Sequence, residues 1–286
     1  MDKLKKLAEH LQPSPKMPVL FVGHGSPMHA IQTDPVTDNW QIVGQQLPKP
    51  QAVVVISAHW LTHGTHITDA PKQPIIYDFY GFPDELYKVT YDAKGDPELA
   101  KLLRLELIKY ESALDSSWGL DHGTWSVLKH LLPEPDVPVL QISLDMTKSL
   151  KDLLSIFGQL KPLRQKGVLF IGSGNIVHNL RAMRFDDGIF DWAMEFDNHT
   201  KQAIDNYHLD SLINPHKAGQ AGLLAVPTDD HYRPMLAAMA LLDPDEGVDY
   251  FNDKFYDYGS AGMRSFVSHG TVDLTKLPTT GLLSIK

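Results

Sequence analysis

Five histidines stand where the chain changes direction. His24 lies between two glycines in GHGSP, His59 in SAHW, His122 in DHGTW, His178 at the end of GSGNIVH and His231 in PTDDHYRP. Neutral imidazole is the commonest biological metal ligand, and three or four of them suit zinc, iron or copper rather than calcium or magnesium. Cysteine is absent, so there is no thiolate ligand, thiol nucleophile or disulfide, and a metal would have to rest on His, Asp or Glu. Asp121, Asp229 and Asp230 adjoin these histidines and could supply a carboxylate ligand or orient imidazoles from behind. Gly23 and Gly25 would leave room for a substrate beside His24 and let the backbone turn sharply.

The other histidines lack comparable settings. His10, His63, His66, His130, His199, His208, His216 and His269 are read as surface or structural, and His29, near the proposed site, is open. GSGN, starting at Gly172, offers backbone N–H groups to an anion, but it matches neither GxGxxG nor GxxxxGK[ST], and a plain sharp turn explains it equally well. Ser26 and Ser173 are not framed as GxSxG. Trp60, Trp125, Tyr232 and Tyr80 could flank a pocket for a flat ring. Arg233 is a positional candidate for a substrate carboxylate.

Converging these histidines requires a particular kind of scaffold. Continuous Val, Ile and Leu runs start at Val19, Ala52, Val137 and Gly167. They read as strands covered on both faces, with helical patterns between them over 97–111 and 149–160. The expected fold class is α/β: a mainly parallel or mixed central sheet flanked by helices. Alternating segments at 86–91, 248–259 and 263–270 predict a smaller antiparallel portion, a further helix runs from about Phe190 to Tyr207, and LLSI near the C-terminus could dock as an edge strand. Three of the four core strands finish at His24, at His59 and shortly before His178. In an open parallel sheet the strand carboxyl ends share one edge where ligands bind, so these side chains should be neighbours. His122 and His231 join them if their helices start at the same edge.

Composition narrows the partners. The 286 residues are 43% hydrophobic and 21% charged, enough for a large core in a single catalytic domain over 1–286. A net charge of -9 without a cluster of Lys or Arg argues against nucleic acid. No apolar run of the roughly 18 residues a membrane span needs is present. The opening MDKLKKLAEHLQPSP reads as an amphipathic helix without a signal core, so a cytoplasmic protein is expected.

Taken in order over roughly two hundred residues, GHGSP, SAHW, DHGTW, GSGNIVHN and PTDDHYRP resemble the bacterial and plant 4,5-DOPA extradiol dioxygenases, a branch of the class III, LigB-type extradiol ring-cleaving enzymes. The resemblance covers nearly the whole chain. It implies an α/β sandwich around a mixed sheet and one divalent metal ion held by His24, His59 and His231, with His178 as a fourth ligand or close neighbour. It also implies that His122 is the acid/base histidine, and that a catechol such as DOPA is opened at the 4,5-bond with O2 as co-substrate. Non-haem iron oxygenases usually present two His and one carboxylate, whereas this set is all histidine. Zinc is therefore expected as the bound ion, and Fe(II) for oxygenase turnover, because zinc has no redox chemistry of its own. The alternatives are a zinc hydrolase on the same scaffold, with His122 as proton shuttle, and a metal-binding module without turnover. The sequence leaves the natural catechol, the resident metal and the oligomeric state open.

Overall fold

The computed structural model describes residues 10–277 and 283–285; the first nine residues of the expected N-terminal helix lie outside them. Each of the four apolar runs forms a strand: β1 (Val19–Gly23), β2 (Ala52–Ser57), β3 (Val139–Gln141) and β4 (Val168–Gly174). With β5 (Val248–Phe251) and β6 (Ser265–Ser268) they build one six-stranded sheet in the order β3-β2-β4-β1-β6-β5. The first four run parallel, while β6 pairs antiparallel with both β1 and β5. The sheet is thus mixed, with the antiparallel part at one edge, as the alternating segments predicted.

Why these strands lack alternation is visible in the packing. Val19, Phe21, Val54, Ile56, Val168 and Phe170 join one buried cluster, and their neighbours Leu20, Val22, Val53, Val55, Leu169 and Ile171 join another on the opposite face. Both faces exclude water, so every position along the strand gains from being apolar. One face is covered by α1 (Pro35–Gly44) and α3 (His122–Leu131). The other is covered by α2 (Pro97–Glu106), α4 (Leu150–Gly158), α5 (Asp191–Asp205) and α6 (Arg233–Leu241).

Helix starts are fixed by local chemistry. Asp34 caps α1 by accepting from Val36 N–H and Thr37 N–H, and Pro35 occupies the first turn, where its missing N–H costs nothing. Asp121 caps α3 through Thr124 N–H, which makes His122 the first residue of that helix. Glycines in β4 admit α6 closely: a Cβ on Gly172 would lie 2.3 Å from the Pro234 carbonyl oxygen, and one on Gly174 2.3 Å from that of His231. Close backbone approach, then, and neither a phosphate loop nor a bare turn, explains GSG.

Some expectations need correction. LYKVTY at 86–91 is not a strand: Leu86–Lys88 is a turn of 3-10 helix, tied by Leu86 N–H to the Pro83 carbonyl and Val89 N–H to that of Leu86. Leu86, Val89 and Tyr91 are buried while Lys88 and Thr90 are exposed, so the segment buries its apolar side from a turn instead of from a paired strand. The helix expected over 97–111 stops at Glu106 and a 3-10 turn follows at Ile108–Tyr110. The C-terminal segment docks: Leu283–Ile285 pairs in parallel with Phe255–Asp257. Among the described residues, no helix is long and apolar enough to cross a membrane.

Candidate active site

The carboxyl ends of the parallel strands share one edge. Gly23 is in register with Gly174, and Ser57 with Ser173, so His24 and His59 leave the sheet side by side. All five histidines singled out above line one cavity of about 300 Å³, with Phe79, Phe82, Leu180, Met183, Asp257 and Tyr258 among its other walls. A hollow of about 420 Å³ beside Lys49 and Lys129 has His130 as the single histidine in its lining.

Within the cavity His24 Nε2 and His59 Nε2 stand 3.1 Å apart. The Nδ1 atoms behind them are engaged elsewhere. Ser173 Oγ donates to the Gly123 carbonyl at 2.5 Å, so toward His24 it accepts, from Nδ1–H at 3.0 Å. His59 Nδ1 faces the Asp78 carboxylate at 3.4 Å. His24 therefore carries its proton at the back and turns its Nε2 lone pair toward His59. Two Nε2 atoms this close can both reach one ion through bonds of about 2.1 Å each. Burial first, and then the neighbouring imidazoles, push His24, His59 and His178 well below the ordinary histidine pKa, so these rings are neutral, the form that binds metal.

His122 is held twice by Asp78, through its backbone N–H to Oδ1 and its Nδ1–H to Oδ2, both at 2.9 Å. His231 Nδ1–H donates to Asp230 at 2.5 Å, and the His178 ring stacks on that of His231 at 3.5 Å between centroids. Among the described residues, the trio whose possible ligand atoms all lie within 4.8 Å of one another is His24, His59 and His122. The rings of His24 and His59 lie 5.3 and 5.0 Å from that of His231. Gly123 makes the convergence possible: a Cβ there would sit 2.9 Å from His59 Cδ2 and 3.2 Å from His24 Cε1.

Residues 14–268 match the family model described as the catalytic LigB subunit of aromatic ring-opening dioxygenase. The chain belongs to this family. It is 38% identical to the 4,5-DOPA dioxygenase extradiol of Escherichia coli K12, over 82% of this chain and 89% of that protein. To the protein of the same name from Beta vulgaris it is 36% identical, over 77% and 84%. A crystal structure of an uncharacterized protein from Escherichia coli K12 superposes with a TM-score of 0.75 at 34% identity, covering 88% of this chain and 99% of that one. The LigB-family chain is accordingly an extradiol ring-cleaving dioxygenase, and nothing in these relatives supports the hydrolase alternative.

Several neighbours of the site differ from expectation. Of the three aspartates, only Asp230 reaches an imidazole. Asp121 is buried as the cap of α3, accepting from Ser57 Oγ and Gln141 Nε2, and Asp229 pairs with Arg233. Arg233 is itself buried, donating to the carbonyls of Asp145 and Lys148, so it braces α6 and does not line the cavity. None of the four aromatics lines it either: Trp60 stacks on Trp118, Trp125 and Tyr232 pack in the core, and Tyr80 is 91% exposed. The space beside the glycines is filled by protein. Gly25 has φ +56, and a Cβ there would meet Asp257 Oδ2 at 2.3 Å and Met263 Sδ at 2.6 Å. His29 is buried between Asp34 and Asp257. Sequence reasoning missed Asp78, Phe79 and Phe82, which sit in an aperiodic loop, and missed Ser173 as an orienting group, although its place between two glycines at a strand end marked it.

Proposed function

We propose that this single catalytic domain opens the ring of a small catechol, with DOPA, named in its relatives, as the first substrate to test. One divalent ion would be held by His24, His59 and His231, with His178 against it. The observation that carries the reading is the approach of His24 Nε2 and His59 Nε2 to 3.1 Å, inside a cavity that five histidines share with Phe79, Phe82, Leu180 and Met183. Fe(II) bound there would supply the one-electron chemistry that lets O2 react with an electron-rich ring, whereas zinc fits the same imidazoles without providing it.

The chain's own residues do the rest. His122, with its Nδ1–H fixed by Asp78, turns Nε2 inward, where it can take the proton of a catechol hydroxyl and return one as the ring opens. Phe79, Phe82, Leu180 and Met183 offer apolar contacts to the ring beside His122. In the overall reaction both atoms of O2 enter the product as the carbon–carbon bond beside the diol breaks. One end becomes a carboxylate and the other an aldehyde, giving a yellow muconic semialdehyde.

The compactness of the His24, His59 and His122 trio favours a second reading, in which His122 is a ligand and His231 the acid/base group. Alanine substitution separates the two: our reading expects His122→Ala to keep its metal and lose turnover, and His231→Ala to lose metal. The function itself is tested by loading the protein with Fe(II) under anaerobic conditions, adding a catechol and admitting O2. We expect O2 uptake matched by a yellow product; no uptake with DOPA, dopamine or simple catechols overturns the assignment.

A further inference from the structure

We propose that Asp78 decides on which nitrogen two of the site's imidazoles carry their protons, and is thereby a positioning residue for both metal binding and proton transfer. The inference rests on the proposed function for its kinetic consequences only. Asp78 Oδ2 lies 2.9 Å from His122 Nδ1 and 3.4 Å from His59 Nδ1, while Oδ1 accepts His122 backbone N–H at 2.9 Å. An ionised carboxylate only accepts hydrogen bonds, and a neutral imidazole has a single N–H. A shared acceptor behind both rings therefore fixes both as the Nδ1–H form and turns both Nε2 lone pairs into the cavity.

The carboxylate is built in rigidly. Its loop is sewn to the start of α3 by Ile76 N–H to the Leu120 carbonyl at 2.7 Å and by Trp125 Nε1–H to the Ile76 carbonyl at 3.0 Å. The next residue, Phe79, sets its ring nearly perpendicular to that of His122, 5.7 Å between centroids. Asp78 also satisfies the backbone N–H of the first residue of α3, one of the donors a helix leaves without an internal partner. One residue thus ties together the helix start, the ring orientation and an apolar wall of the cavity.

Asp78→Asn tests this. With Oδ1 retained by the His122 N–H, the amide turns its NH2 toward the two rings, and a donor there favours the Nε2–H form, which places protons inside the cavity. Long-range 1H–15N correlation spectra of the metal-free protein should show Nδ1–H for His59 and His122 in the parent and Nε2–H in Asp78→Asn. Metal affinity should fall about 10–100-fold. At saturating Fe(II), kcat should drop about 100-fold or more with KM nearly unchanged, and Asp78→Glu, which keeps the carboxylate, should recover part of both losses. An Nε2–H form in the parent overturns the proposal, as do unchanged spectra and metal affinity in Asp78→Asn. If Asp78→Asn does not fold, the parent spectrum and the metal affinity of Asp78→Glu decide. If the parent opens no catechol, the function fails while the spectra and affinities still judge Asp78.

Discussion

Ser173→Ala is the most economical probe of how the sheet edge prepares a ligand. Ser173 Oγ, fully buried in β4, accepts from His24 Nδ1–H at 3.0 Å and donates to the Gly123 carbonyl at 2.5 Å. Deleting it removes the bond to the Gly123 carbonyl, worth about 1 kcal/mol net, and strands the His24 donor in a buried place at a cost of about 1–3 kcal/mol. If the ring keeps its orientation and proton, stability should fall by roughly 2–4 kcal/mol. His24 can escape the penalty by moving its proton to Nε2, toward His59 Nε2 at 3.1 Å. A proton there blocks the metal. Stability would then fall less and metal affinity more, by about 10–100-fold. Urea unfolding of apo and zinc-loaded protein, with chelator competition for affinity, separates the two responses. The reasoning is refuted if Ser173→Ala unfolds within about 0.5 kcal/mol of the parent, an ordinary surface-substitution effect, and also binds zinc equally tightly.

Gly123→Ala should raise intrinsic helix propensity by about 1 kcal/mol yet damage the site, because its Cβ would press on His59 and on Ser57 Oγ at 2.7 Å; elemental analysis should find less metal per chain with near-parental folding. His29 offers a pH test: burial works to lower its pKa, but Asp257 and Asp34 outweigh that and raise it to about 10. Its contribution to stability is full below about pH 6.5, the unfolded value, and is lost as pH rises through the folded one. Urea midpoints should show the parent losing up to about 1.4 kcal/mol per pH unit between pH 7 and 9, a slope that His29→Gln lacks. Arg233→Ala should destabilise the protein strongly by leaving Asp229 unpaired and two carbonyls without their donor. The ratio of kcat/KM for DOPA to that for dopamine should stay as in the parent, because the guanidinium does not line the cavity.

What the sequence reveals here follows from how each residue's job is encoded. The parallel strands were legible because burial on both faces leaves an unbroken apolar run, and the convergence of His24, His59 and His178 followed from strand polarity alone. Position along a helix was legible too: Asp before His122 is a cap signal, and it places that imidazole at the helix mouth. What stayed hidden depends on contacts across distant segments with no period to betray them. Asp78 reaches His122 from 44 positions away, and the apolar walls Phe79 and Phe82 come from a loop whose aromatic content was indistinguishable from packing. Arg233, Trp125 and Tyr232 misled for the opposite reason, since proximity in sequence to a site histidine says nothing about which way a side chain leaves its helix. The glycines illustrate both cases at once. Their sequence setting announced a steric constraint at His24, and only the coordinates show that Met263 and Asp257 impose it. The cavity wall beside His24 is therefore protein packed against backbone. Enlarging Gly25 should disturb the position of His24 before it excludes any substrate, so metal affinity is the quantity to watch in such a variant.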